Sequence, residues 1–317
     1  MTSAPLKLEL QALIREFADW WATRGRELDA ANEVREPLYH YTNMAGLLGI
    51  VSSEEMWFTN ILHLNDPSEL GYGIGIARDI LEAEANGSGN QHVAGFCAWA
   101  LHVLVKAGGE IFGLYVASFS RESNDLGQWR AYADNGRGVA VGLSPTLFAL
   151  VADQSTLGVT DKTMAANVTY DRAECEQNFR EAIQRAVAIF ARGLVHITTD
   201  LERKEFGEEL ARELAVPMFR HAITSKHPSY AHERETRLLL LNDRAELDHY
   251  SKFRTRGSTL VPYVPSALRV RSPGAITKIV VGPAADVLAD DAVRAFLRRH
   301  GLSEEIVEKS EIPYTAL

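Results

Sequence analysis

Cysteine is rare in this chain of 317 residues, which has only Cys97 and Cys175. The two are far apart and form no Cys-x-x-Cys pair, so neither a disulfide framework nor a thiol-ligated metal is predicted, and a reducing compartment is expected. The longest apolar run, around residues 93–105, is interrupted by Gly95 and His102 and is shorter than the roughly 20 residues of a membrane helix. Because a basic signal segment is also missing, the sequence predicts a soluble cytoplasmic protein without a membrane partner.

Positive charge is also in deficit, with 33 Lys and Arg against 42 Asp and Glu and a net charge of -9. This balance excludes a general basic surface for nucleic acid or anionic lipid. The segment KFRTR at 252–256 is a local exception, and it is either a small basic patch or, in the ordinary interpretation, a solvated loop. The sequence contains no GxxxxGK[ST] phosphate loop, no GxSxG elbow and no HExxH helix. Its scattered histidines do not predict a metal site.

The apolar content of 46% is enough for a large core. Apolar positions at helical spacing predict an amino-terminal helix within residues 1–36. From residue 37 to 317 short strands and helices follow one another without regular alternation, which indicates an α+β fold. A helical stretch at about 170–225 interrupts these strands. We therefore predict a single α+β domain over 37–317 with a helical insertion.

A tight turn is predicted at Asn135–Gly138, where the sequence is Asn-Gly-Arg-Gly. It precedes the apolar stretch 139–143, and another apolar stretch lies at 112–120. We expect these two stretches to be antiparallel neighbours in the sheet.

The first candidate site is the segment LYHYTN at 38–43, a short strand that leads into a helix. Loops at strand ends commonly display functional side chains. In a strand, alternation would place Tyr39 and Tyr41 on one face as core and His40 on the other, beside the hydroxyl of Thr42. The alternative is a buried His40 whose ring is satisfied by the backbone.

A second cluster follows the predicted strand 112–120. Ser118 and Ser120 can bind a ligand or cap the next helix. Trp129 and Tyr132 are three residues apart on that helix, so they share a face, and one can stack on a flat ring while the other anchors the core. The alternative is that both aromatic residues belong to the core.

The third cluster is Glu233, Glu235 and Arg237, at the entrance to an apolar strand. Residues two apart in a strand point to the same face. Paired carboxylates there suit general base catalysis or stabilisation of a cationic transition state. The alternative is a solvated sheet edge with Glu–Arg pairs.

Together these segments resemble a family of bacterial proteins known as domain of unknown function 2971. The resemblance spans residues 37–314, and its most specific part is the block SFSRESNDLGQWRAYADNGRGVAVGL. The matching pieces are LYHYTN (38–43), the short helix that follows and WFT with NDPSEL (57–70), that block (118–143), ERETRLLL (233–240), IVVGP (279–283) and SEIPY (310–314).

The order of features is also similar to the ADP-ribosyltransferases of the His–Tyr–Glu type. This resemblance implies a split, mixed β-sheet wrapped by helices and NAD as the substrate. It implies that His40 binds the NAD ribose, that Tyr132 stacks on nicotinamide, and that Glu235 is the main catalytic carboxylate with Glu233 activating the acceptor. Tyr39, Tyr41 and Tyr115 compete with Tyr132 for the stacking role. The remaining NAD-binding candidates are Tyr41, Thr42, Ser118, Ser120, Trp129 and Arg237.

The resemblance predicts an NAD-dependent ADP-ribosyltransferase or NAD glycohydrolase, acting as a toxin or anti-phage effector on an unidentified protein or nucleic-acid acceptor. One alternative is a metal-dependent phosphodiesterase, because five acidic groups in one pocket would suit Mg²⁺. Those groups are Asp66, Glu69, Asp125, Glu233 and Glu235. Another is a non-catalytic module that binds a nucleotide or a partner protein.

Overall fold

The computed structural model describes residues 6–64, 68–110, 112–148 and 163–316. Its helices are α1 (Leu8–Ala31), α2 (Met44–Ser53), α3 (Ser68–Gly87), α4 (Gln91–Glu110), α5 (Leu126–Tyr132), α6 (Arg172–Gly193), α7 (Asp200–Thr224), α8 (Arg244–Tyr250) and α9 (Ala289–Arg299). Its strands are β1 (Leu38–Thr42), β2 (Glu55–Asn60), β3 (Phe112–Ser120), β4 (Val139–Leu143), β5 (Met164–Asn167), β6 (Glu235–Asp243), β7 (Lys252–Arg256), β8 (Thr259–Ala267), β9 (Ile276–Val281) and β10 (Val307–Lys309).

These elements confirm the predicted α+β class. The sheet is mixed, because β10 runs parallel to β9 whereas β1–β4, β2–β8, β4–β9 and β5–β6 are antiparallel pairs. The described chain forms two compact units. The first contains the described residues of Met1–Ala31, Leu64–Phe112 and Thr169–Pro228, and the second those of Asn32–His63, Gly113–Val168 and Ser229–Leu317. No helix among the described residues is long and apolar enough to cross a bilayer.

The first unit is helical and is built from α1, α3, α4, α6 and α7. Helices α6 and α7 occupy the predicted insertion, with a break at 194–199. Their apolar stripes meet in a core that includes stacked rings of Phe96, Phe190 and Phe206. His221 lies in this core, with its ring edge-on to Trp21 and Phe179. Burial lowers the pKa of His221 to about 3.

The depressed pKa of His221 makes the stability of the protein depend on pH. Below the unfolded-state pKa of 6.5 the unfolded chain binds a proton that the folded chain refuses, so stability rises with pH between about 3 and 6.5. Lowering the pH from 7 to 5 should reduce the free energy of unfolding by about 2 kcal/mol through this residue. Urea denaturation across this range measures the slope. The variant His221→Phe keeps an aromatic ring and should flatten it, whereas an unchanged slope in that variant would contradict the assignment.

The second unit contains the sheet, whose strand order is β10-β9-β4-β1-β3-β2-β8-β7, with β6 pairing β3 and β5. Strand β1 pairs along its whole length with β4 and lies between β3 and β4. The expectation that β3 and β4 are neighbours is therefore wrong. Gly138 permits the β1–β4 approach, because a β-carbon there would collide with the backbone oxygen of Thr42.

The two faces of this sheet differ in chemistry. One face, which we call the core face, packs the apolar core through residues such as Leu38, Phe58, Phe119 and Leu238. Because side chains alternate along a strand, the residues between them lie on the opposite face. We call this the carboxylate face, and it carries Tyr39 and Tyr41 (β1), Trp57 and Thr59 (β2), Ser118 and Ser120 (β3), and Glu235 and Arg237 (β6).

Strand β3 pairs with three strands, and β1 pairs with its last residue whereas β2 pairs with its middle. Tyr39 of β1 pairs with Ser120, whereas Thr59 and Asn60 of β2 pair with Val116 and Tyr115. Two residues before Ser120 on β3, the carbonyl oxygen of Ser118 has the His40 ring as its hydrogen-bond partner. A side chain thus takes the place of a backbone partner where β1 diverges from β3.

Candidate functional site

The most polar buried cluster of the second unit lies where β6 begins. Glu233, Glu235 and Arg237 are 5%, 7% and 2% exposed. Arg237 donates from Nε to Glu235 Oε1 at 2.8 Å and from Nη2 to Oε2 at 2.9 Å. This bidentate ion pair holds the Glu235 carboxylate in place and compensates the burial of its charge. The predicted Glu–Arg pairing is therefore present, but it is buried instead of solvated.

Glu233 precedes the strand that carries Glu235. It ends a 3-10 helix over Pro228–Glu233, and the hydroxyl of Tyr132 donates to its Oε1 at 3.2 Å. Arg234, between the two carboxylates, has a left-handed backbone with a φ of 46°. Strand alternation starts only at Glu235, so it does not apply to Glu233. The same-face argument for the two carboxylates fails, although a hydrogen bond from Tyr132 contacts Glu233 and an ion pair with Arg237 contacts Glu235.

The end of β3 supports the same cluster. The hydroxyl of Ser120 donates to the backbone oxygen of Glu233 at 2.8 Å, and the amide of Arg121 donates to the backbone oxygen of Arg234 at 3.1 Å. Ser118 lies two residues earlier on the same face of β3 and is half-buried. The structure thus brings together Ser120, Tyr132 and the two carboxylates, which are far apart in the sequence.

Helix α5 places Tyr132 by burying its neighbour Trp129. Trp129 is fully buried, its indole N–H donates to Asn124 Oδ1 at 2.8 Å, and its ring packs edge-on against Tyr41 with centroids 4.9 Å apart. Asp125 caps the helix by accepting from the amide of Gln128. Complete burial excludes Trp129 from ligand contact in this structure. The core interpretation holds for Trp129.

Tyr41 and Thr42 also serve the fold in this structure. The Tyr41 hydroxyl donates to the backbone oxygen of Glu122 at 2.8 Å and accepts from the amide of Asp125 at 3.0 Å. Burial raises the pKa of Tyr41. The side chain of Thr42 fills the space in front of Gly46 on α2. Tyr41 therefore anchors the loop before α5, and Thr42 packs against the start of α2.

His40 lies on the core face, with its ring centroid 5.7 Å from that of Phe119. The side chain of His40 therefore does not share a sheet face with those of Ser118 and Ser120, because the pairing of Tyr39 with Ser120 sets His40 beside Phe119. A shared ligand pocket for His40, Ser118, Ser120 and Tyr132 stays a prediction. The Nδ1 atom lies 3.1 Å from the Ser118 carbonyl, which can only accept, so Nδ1 carries the proton. Burial is the main cause that lowers the pKa of His40, and the charge of Arg254 adds to it. His40 is thus a neutral ring that closes the gap between β1 and β3.

One polar residue of the carboxylate face was missed by sequence analysis. Arg254 belongs to strand β7, not to a loop, and its Nη2 donates to the Thr59 hydroxyl oxygen at 2.9 Å. Burial is the main cause that lowers the pKa of Arg254, and the charge of Arg256 lowers it further. Basic residues occur at every second position of this segment, as Lys252, Arg254 and Arg256. This spacing was the signal that could have indicated a strand.

The five acidic groups considered for a metal do not form one described cluster. Asp66 lies outside the described residues, as does the side chain of Glu69, while Asp125 caps α5. Among the described residues no group of three or more His, Cys, Asp or Glu side chains is placed to hold a metal ion. The structure therefore offers no observation that favours the phosphodiesterase.

Comparison with family models gives a match that covers the carboxylates and Tyr132 but not the serines of β3. Residues 128–238 match the model of a family described as a protein of unknown function, DUF2971. Over these residues, the chain is similar to the DUF2971 family. The matched stretch contains Tyr132, Glu233, Glu235 and Arg237, and the predicted resemblance to DUF2971 is confirmed there. No curated protein and no solved structure matches the chain.

Proposed function

We propose that the protein cleaves NAD at the nicotinamide–ribose bond and passes ADP-ribose to water or to an acceptor. The observation that supports this most directly is the pair of buried carboxylates at the start of β6, one bonded to Tyr132 and the other to Arg237. Fixed negative charge is most effective where positive charge develops in a transition state. Cleavage of a nicotinamide glycoside develops such a charge on the ribose.

In the proposed reaction the bond between ribose C1′ and the nicotinamide nitrogen breaks, and its electron pair leaves with nicotinamide. Glu235 stabilises the positive charge shared by C1′ and the ring oxygen. In this proposal one carboxylate oxygen of Glu235 accepts a hydrogen bond from a ribose hydroxyl when NAD is bound. The acceptor then attacks C1′ and gives its proton to Glu233, which acts as general base.

Tyr132 is the aromatic residue best placed to contact nicotinamide, since its hydroxyl already reaches Glu233. Ser118 presents its hydroxyl on the same face of the sheet and can bind the ribose, whereas the Ser120 hydroxyl, which is bonded to the backbone at Glu233 and Glu122, supports the carboxylates. His40 enters the proposal through Ser118, whose carbonyl it holds, and we assign it as a positioning residue. A role as toxin or anti-phage effector is part of the same proposal, because cleavage of NAD depletes a central metabolite.

Incubation of the purified protein with NAD tests this function. Nicotinamide and ADP-ribose should appear in equal amounts on chromatography, and EDTA should leave the rate unchanged because neither carboxylate needs a metal in the proposed step. Addition of cell lysate should divert ADP-ribose to an acceptor if transfer prevails over hydrolysis. Absence of nicotinamide release under all these conditions, or phosphodiester cleavage that requires Mg²⁺, would show that the proposal is wrong.

A further inference from the structure

Arg254 is a cation without a carboxylate partner in the described ranges of the chain. Its side chain is half-buried, and burial, with the charge of Arg256, lowers its pKa. A surface arginine normally pairs with an acid or stays in water, since partial desolvation of a charge is unfavourable. The guanidinium of Arg254 is instead held by a hydroxyl and an aromatic ring.

Its position is set by an aromatic pair and a hydroxyl. The rings of Trp57 and Tyr263 stack with centroids 4.3 Å apart, and the Arg254 guanidinium lies over Trp57 at 5.8 Å. From β7 the side chain reaches past β8 to Thr59 of β2. Because Thr59 accepts from Arg254, its own proton is left to donate to a third group. An arginine fork beside a hydroxyl donor is a typical arrangement for binding a phosphate.

The location connects this arrangement with the candidate site. Thr59 pairs with Val116 of β3, two residues before Ser118, and both strands present these side chains on the carboxylate face. Thr59 and Ser118 therefore lie on neighbouring strands and on one face of the sheet.

We propose that Arg254 and Thr59 form an anion subsite that binds the pyrophosphate of the dinucleotide. The inference rests on the proposed function for the identity of the ligand. The subsite would hold the phosphates at β2 while the ribose reaches the carboxylates at the start of β6, on the far side of β3. Binding there would position the substrate without taking part in bond cleavage.

Calorimetric titration of the full chain with ADP-ribose tests the subsite without turnover, because ADP-ribose has no nicotinamide to lose. Arg254→Ala should weaken ADP-ribose binding about 10- to 100-fold, the range of a charge-assisted pair of hydrogen bonds. Arg254→Lys should lose less, because it keeps the charge but not the fork. Thr59→Val should weaken binding about 3- to 10-fold. Nicotinamide riboside, which has no phosphate, should bind each variant as it binds the original protein.

The matched control is Arg256→Ala, which removes the same charge from the same strand, two residues nearer the hairpin turn at Gly257. It should change ADP-ribose affinity by about threefold or less. Circular dichroism of all variants verifies that they fold. An equal loss in Arg254→Ala and Arg256→Ala, or unchanged binding in Arg254→Ala, would overturn the subsite.

The remaining outcomes separate the two proposals. If the original protein binds neither ADP-ribose nor inorganic pyrophosphate, the subsite is overturned, whether or not NAD is cleaved. Binding of ADP-ribose that depends on Arg254, in a protein that releases no nicotinamide from NAD, supports the subsite and overturns the proposed function.

Discussion

Replacing Glu235 by glutamine is expected to lower the rate of nicotinamide release from NAD by ~10²–10⁴, the range of a general base or an electrostatic group of a transition state. Glutamine keeps the length and hydrogen-bonding oxygen of the side chain but removes the charge opposite the developing cation. Binding of NAD should change little, because the charge acts mainly in the transition state. Steady-state kinetics of nicotinamide release should therefore show a fall in kcat with a nearly constant KM.

Two further variants sharpen this experiment. Glu233→Gln should reduce transfer to an acceptor more than it reduces hydrolysis of NAD, since Glu233 is assigned to the acceptor's proton. Glu82→Gln changes an exposed carboxylate of α3 and serves as the matched control, with unchanged kinetics expected. Full activity in Glu235→Gln would remove Glu235 from the chemistry.

Replacing Trp129 by alanine is expected to lower the free energy of unfolding by about 3–5 kcal/mol, the usual cost of a large cavity in a core. The side chain is fully buried, and it joins α5 to β1 through Tyr41 and to the preceding loop through Asn124. Urea denaturation followed by circular dichroism measures the change. A loss of activity without a loss of stability would instead indicate that Trp129 contacts the substrate.

Two other substitutions on α5 calibrate the effect of Trp129→Ala. Trp129→Phe keeps the ring packing on Tyr41 but removes the donor to Asn124, so a smaller loss of about 1–3 kcal/mol is expected. Leu126→Ala removes a side chain that is 39% exposed at the start of the same helix, and its effect should be the smallest of the three.

What the sequence could predict was governed by local spacing. Helices α6 and α7 follow from apolar residues at intervals of three and four, and the turn before β4 follows from Asn135–Gly138. The burial of Trp129 beside Tyr132 is also local, since residues three apart share one helix face. In each case the pattern and the structure concern the same short segment, so no distant contact had to be known.

What failed depended on contacts between distant segments. The position of β1 between β3 and β4 is set by pairing over about a hundred residues and by the close approach at Gly138. The face on which His40 lies follows from a register, and a shift by one residue would reverse it. Arg254 was missed for the same reason, because its anchor, Thr59, is 195 residues away in the chain.

The left-handed backbone of Arg234 sets two demands on this protein against each other. For a residue with a β-carbon, that conformation lowers the free energy of unfolding by roughly 1–2 kcal/mol, whereas glycine adopts it without strain. The turn at Arg234 is nevertheless what separates Glu233, at the end of its 3-10 helix, from Glu235, at the start of β6. Selection for heat resistance alone would therefore favour glycine at position 234, and the same change would loosen the spacing of the carboxylates. A more stable variant and a more active variant are therefore expected to carry different residues at position 234.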